Sequence, residues 1–150
     1  MYSKILAPLD GSDLSECTLE HVTEIARKCT IPEVVFLLVI EPAHNAYWFV
    51  QGDPDLQVKM ENAQKQTAEN YISKIVNTAK NAGLEAKGIV LHGNPADTIL
   101  NYAQENGVDL IVMSTHGRSG VTRFALGSVT DKVVRTAAVP VMTVSPKGCR

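Results

Sequence analysis

Val34 to Ile40 (Val-Val-Phe-Leu-Leu-Val-Ile) is an apolar run in which polar and apolar positions do not alternate. A strand with one wet face alternates, so an unbroken run of this length needs cover on both faces. That is the condition of a strand inside a parallel sheet. Four further segments, Lys4 to Leu9, Leu84 to His92, Asp109 to Met113 and Val139 to Val144, read as strands. Parallel neighbours cannot be joined by a hairpin, and the segments between these runs carry helical signals.

After the first run, Ser12 or Asp13 can cap a helix with Glu16 in its first turn. Its apolar face is Leu14, Cys17, Val22, Ile25, Ala26 and Cys29, and Pro32 breaks the chain. From Leu56 to Asn81 a stripe of Met60, Ala63, Thr67, Ala68, Tyr71, Ile72, Ile75, Val76 and Ala79 predicts a long helix closed by Gly83. Asn94-Pro95 is a cap followed by a first-turn proline, with Ile99, Leu100 and Ala103 inward and Gly107 as the stop. The last helix runs from Gly127 to Ala137, with Val129, Val133, Val134 and Ala137 inward. The β-α-β-α-β-α-β-α-β order predicts an α/β fold: an open five-stranded parallel sheet, Rossmann-like, with helices on both faces. The two loops richest in ligand-type residues are Asp10-Gly11-Ser12 after strand one and Ser114 to Gly120 after strand four. If those strands are neighbours, the order is 3-2-1-4-5 and both loops open onto one crevice at the switch point.

The 150 residues fit one domain, 1–150, and a net charge of −2 offers no electrostatic footprint for nucleic acid. No apolar run approaches the roughly 20 residues of a membrane span, and the N-terminus lacks a signal-peptide pattern. A cytoplasmic location is therefore expected. Three cysteines without a C-x-x-C pair argue against a disulfide framework. Cys17 and Cys29 read as small buried hydrophobes, and Cys149 as an exposed tail thiol. The histidines at 21, 44, 92 and 116 do not have zinc-ligand spacing. Tyr47, Trp48 and Phe49 lie in an irregular stretch and either pack over the sheet edge or form a lid or partner surface.

Ser114 to Val129 carries three glycines, two arginines and several hydroxyls between the fourth strand and the last helix. Glycines let backbone N–H groups approach a phosphate, and a helix N-terminus adds roughly half a positive charge at the same point. The stretch is neither a Walker-type loop nor a dinucleotide fingerprint, and no hydrolytic elbow is present.

Thr-His-Gly-Arg-Ser-Gly, then Leu-Gly-Ser-Val-Thr, then Val-Pro-Val, with Ile-Leu-Ala-Pro-Leu-Asp-Gly-Ser at the start, resembles the universal stress protein family over nearly the whole chain. The family's ATP-binding members carry Gly-x2-Gly-x9-Gly-Ser/Thr. Here the second glycine is Gly117, the third Gly127 and the hydroxyl Ser128. Ser114 stands at the first position, and its added Cβ and hydroxyl either crowd a ligand or hydrogen-bond to it.

The resemblance implies further roles. Pro8, Leu9 and Asp10 would line the adenine and ribose side, with Asp10 taking a ribose hydroxyl or only capping the turn. Val39 would offer backbone groups to the adenine edge or be plain core, and Met113 would pack near the base or fill the core. Gly117, Gly127, Ser128 and Val129 would give N–H groups to the phosphates, with Thr130 as a fifth candidate. Arg118 and Arg123 would neutralise phosphate charge or stay solvated, and His116 would position the loop. Mg²⁺ would arrive only with the triphosphate.

The implied function is that of an ATP-binding sensor or regulator of the stress response. It would be at most a slow ATP hydrolase, because no general base is positioned. The apolar edge strand at the C-terminus invites pairing with a second copy, and a homodimer is expected. The alternatives are a dimeric interaction module without nucleotide, serving an unknown protein partner, and a slow adenylate hydrolase or phosphotransferase.

Overall fold

The computed structural model describes residues 2–42, 54–117 and 126–145. Five strands, β1 (Lys4–Leu9), β2 (Glu33–Ile40), β3 (Ala86–His92), β4 (Leu110–Ser114) and β5 (Val141–Val144), form one sheet in the order β3-β2-β1-β4-β5. Every pairing is parallel, as the unbroken apolar run of β2 suggests. Five helices complete the described chain: α1 (Asp13–Glu16), α2 (Thr18–Lys28), α3 (Pro54–Asn81), α4 (Pro95–Glu105) and α5 (Ser128–Thr136).

Alternation along the strands divides the core between the two faces of the sheet. Ile5, Ala7 and Leu9 of β1 join Val22 and Ala26 of α2 and Ile72, Ile75 and Ala79 of α3. Leu6, one residue out of phase, lies on the other face with Val35, Leu37, Ile99 and Ala103 of α4, and Val133 of α5. The connections turn to opposite faces on either side of β1 and β4, which opens the crevice between those strands. Among the described residues no helix is long and apolar enough to cross a membrane.

Three details of the expected pattern are corrected. The first helix is two pieces broken at Cys17, because the Ser15 hydroxyl donates to the Ser12 carbonyl (2.8 Å) and the Thr18 hydroxyl to the Ser15 carbonyl (2.8 Å). Such back-bonding competes with the regular helical ladder. Cys17, expected as a small buried hydrophobe, is half-buried and disulfide-bonded, and Cys29, at the C-cap of α2, is exposed. In α3 the buried stripe begins only at Ala68: Met60 is 50 % exposed, and Ala63 and Thr67 are exposed too, because that half of the helix has no sheet beneath it. Val134 of α5 is likewise turned to the surface. Tyr47, Trp48, Phe49, Arg118, Arg123 and Cys149 lie outside the described residues.

The start of β4 is fastened to the start of β1 by one carboxylate. Asp109 Oδ2 accepts the Ser3 N–H and hydroxyl (both 2.7 Å), Oδ1 accepts the Lys4 N–H (3.1 Å), and the Asp109 N–H donates to the Lys4 carbonyl (3.1 Å). Partial burial pushes the Asp109 pKa up, but the Ser3 and Lys4 donors outweigh it and hold the carboxyl below its ordinary range. A carboxyl depressed in the folded state contributes stability that is complete above its unfolded value, about 4, and is lost as the pH falls through the folded value. Asp109→Asn is expected to flatten the acid limb of stability against pH between about pH 5 and 3, measured by urea unfolding.

On the other edge, Gly88 of β3 lies so close under α3 that a Cβ there would fall on Ile72 Cγ2. Gly88→Ala should therefore cost about 1–3 kcal/mol of unfolding free energy. Combining it with Ile72→Ala should cost less than the sum of the two single changes, since each makes room for the other.

Candidate functional site

The carboxyl ends of β1, β2 and β4 surround a cleft of about 650 Å³, within the size range of small-molecule sites. Pro8, Leu9 and Asp10 enter from β1, Val39 from β2, and Met113, Ser114 and Gly117 from the end of β4. Gly127, Ser128, Val129 and Thr130 enter from the start of α5. Eleven of the twelve residues proposed from the sequence as ligand-binding thus line one cavity; Arg118 lies outside the described residues. Gln64, Thr67, Ala68 and Tyr71 of α3 and Pro95 and Ile99 of α4 also line it and were not among the sequence candidates. Gln64 and Thr67 belong to the exposed half of α3, where periodicity carries no sign of what lies opposite. Burial, with the Glu16 carboxylate beside it, pushes the Tyr71 phenol up and keeps it protonated.

Helix starts differ in how their free N–H groups are met. The Ser12 side chain caps α1 and the Asn94 side chain caps α4, accepting from the N–H groups of Ser15 and Asp97. At α5 the N-cap is Gly127, which has no side chain to do this. The N–H groups of Ser128, Val129 and Thr130, the first three helical residues, have no carbonyl four residues back. All three residues line the cleft, and the helix dipole adds positive potential there.

Other groups expected to face a ligand are used by the protein itself. The Gly127 N–H donates to the Thr115 carbonyl (2.8 Å), so it anchors the loop and is not free to donate elsewhere. The buried Thr130 hydroxyl donates to the Ser114 carbonyl (2.9 Å), pinning α5 to the end of β4. Of the four N–H groups expected from α5 and its cap, the bond to Thr115 removes that of Gly127 and leaves those of Ser128, Val129 and Thr130. His116 has Nδ1 2.9 Å from the Thr115 hydroxyl and a buried Nε2 that finds no hydrogen-bond partner among the described residues.

Asp10 closes the turn and also lies on the cleft wall. Its Oδ1 accepts the Ser12 N–H (2.9 Å) and hydroxyl (2.5 Å), closing the turn after β1, while the residue lines the cleft. Its other oxygen packs on Gly117, where a Cβ would collide with it. A Cβ at Gly127 would meet the Thr115 carbonyl at an ordinary 3.4 Å. A Cβ at 117 therefore displaces the Asp10 carboxylate, whereas one at 127 is accommodated. Among the described residues no three His, Cys, Asp or Glu side chains gather to hold a metal ion.

Parallel strands in the order 3-2-1-4-5, with a cleft at the switch point and a helix start that no side chain caps, define an α/β domain of the doubly wound class. A model of the universal stress protein family matches residues 1–145, and the chain belongs to that family. It is 30 % identical to universal stress protein MJ0577 of Methanocaldococcus jannaschii, with 98 % of this chain and 97 % of that protein covered. The solved MJ0577 structure superposes with a TM-score of 0.83, covering 97 % of this chain and 96 % of that one. Two more distant structures share the fold. One is an Arabidopsis thaliana universal stress protein family member with AMP bound (TM-score 0.69, 21 % identity, 95 % and 91 % covered). The other is a universal stress protein in complex with cAMP (TM-score 0.68, 22 % identity, 97 % and 98 % covered).

The contact between Asp10 and Gly117 gives a test of the geometry. Gly117→Ala should cost about 1–2 kcal/mol in urea unfolding by displacing the Asp10 carboxylate from Ser12. In the Asp10→Ala background the same change should cost under about 0.5 kcal/mol, because the collision is gone.

Proposed function

We propose that this chain binds an adenine nucleotide, ATP, in the cleft between β1 and β4, and acts as a nucleotide-dependent regulator in the stress response. The observation that carries the reading is the uncapped start of α5, whose three N–H groups belong to residues lining the cleft that Asp10 also enters. Anionic oxygens satisfy such N–H groups and gain from the helix dipole. The phosphates would be held by Ser128, Val129 and Thr130 through the backbone, with the Ser128 hydroxyl beside them and Gly117 opposite. Asp10 would take a ribose hydroxyl, and Pro8, Leu9, Val39 and Met113 would enclose the base. Bound AMP and cAMP in two proteins of this fold support an adenine nucleotide as the ligand class. Mg²⁺ would travel with the triphosphate, supplying charge neutralisation.

The reading favours binding over turnover. Asp10 is committed to the Ser12 N–H and hydroxyl, which suits a ligand acceptor better than a general base. In the same reading β5 pairs with a second copy of the chain. It is the open edge of the sheet next to the cleft, with Met142 and Thr143 exposed. A two-fold dimer through such an edge removes unpaired strand groups from solvent.

At about a hundred times the dissociation constant, Mg-ATP should stabilise the protein by about 2.7 kcal/mol. In a thermal melt of a domain this size that corresponds to a rise of roughly 5–11 °C. Gly127→Val should remove that rise while leaving the nucleotide-free melting point close to wild type, since the space beside Gly127 accepts a Cβ. A full rise in the variant would contradict the phosphate site at α5.

A further inference from the structure

We infer that the Ser114 hydroxyl is a positioning group that aims the Gly117 N–H into the anion site, in place of the glycine that the family motif has there. Affinity in this inference rests on the nucleotide-binding reading above; the geometry does not. Ser114 closes β4, is 6 % exposed and sits on the cleft wall. Its hydroxyl does not point freely at a ligand. It donates to the His116 carbonyl at 2.7 Å, closing a turn two residues long.

That bond determines more than one carbonyl. A trans peptide holds C=O and the following N–H on opposite sides, so fixing the His116 carbonyl onto Ser114 fixes the Gly117 N–H on the far side of the same plane. The turn is braced around the bond. Thr130 donates to the Ser114 carbonyl (2.9 Å), and the Thr115 carbonyl accepts the Gly127 N–H (2.8 Å) while the Thr115 N–H donates to Val144 (2.9 Å). The peptide between His116 and Gly117 is the part of this network that only the Ser114 side chain holds by hydrogen bond among the described contacts.

Without the hydroxyl, the His116 carbonyl loses its donor and the peptide can rotate. One of its orientations then presents a carbonyl oxygen, a repulsive partner for phosphate, where an N–H should be. Serine at the first motif position accordingly works as a lock on loop geometry. The hydroxyl is spent inside the protein, and the ligand feels it through the amide of Gly117.

Two substitutions separate this from crowding. Ser114→Ala removes the hydroxyl and keeps the Cβ, whereas Ser114→Gly removes both. The inference expects both to weaken Mg-ATP binding by about three- to tenfold in calorimetric titration, the worth of one hydrogen bond. Crowding expects Ser114→Gly to bind as tightly as wild type or tighter, and that result would overturn the inference. A second readout needs no nucleotide. In ligand-free protein the Gly117 amide resonance should move in Ser114→Ala, with the melting point within about 2 °C of wild type. An unmoved Gly117 amide overturns the inference whatever the affinities do. If wild type fails to bind Mg-ATP, the nucleotide reading falls, and the Gly117 amide alone decides the role of Ser114.

Discussion

Strands β1 and β4 are bound side by side through two register pairs, Ile5 with Leu110 and Leu6 with Ile111. The Asp109 carboxylate supplies the missing length of contact by tying the start of β4 to Ser3 and Lys4. The cleft depends on this adjacency. Because the chain leaves β1 for α1 and α2 on one face, and leaves β4 for α5 on the other, the two exit loops diverge and cannot fill the space between them. The cleft is therefore a consequence of topology, present before any ligand-type residue is considered.

What the loops add, in the proposed reading, is a preference for charge. Most polar groups at the rim are already satisfied: Asp10 by Ser12, the Thr130 hydroxyl by the Ser114 carbonyl, the Gly127 N–H by Thr115. Satisfied groups hold a shape without asking for a partner. The first N–H groups of α5 are different, since helical geometry gives them no carbonyl and Gly127 gives them no cap. A braced frame around a few donors that the described residues leave without acceptors is the physical form of preorganisation, and anions are the ligands the proposed reading assigns to it.

Much of this is legible in the residues because the signals are local. Unbroken apolar runs announce parallel strands, and Asn94-Pro95 announces a helix start that the structure reproduces, with Asn94 as the cap. The strand order comes from placing the two polar loops together. Three features are less legible, each for a physical reason. Periodicity shows which face of α3 is apolar but not where the sheet ends, so Met60, expected inside, is exposed. The break at Cys17 depends on hydroxyls of Ser15 and Thr18 choosing nearby carbonyls, a choice that sequence spacing does not reveal. The employment of the Gly127 N–H by Thr115 depends on the path of a loop, and a glycine that faces a ligand looks the same in sequence as one that anchors a turn.

The central claim is that the start of α5 holds phosphate. The measurement that tests it most directly is a calorimetric titration of adenosine, AMP and ATP with Mg²⁺ at fixed ionic strength. The account predicts that affinity rises with the phosphates and that adenosine binds weakest. Equal affinity for adenosine and ATP would place the binding energy in the base alone and contradict the account.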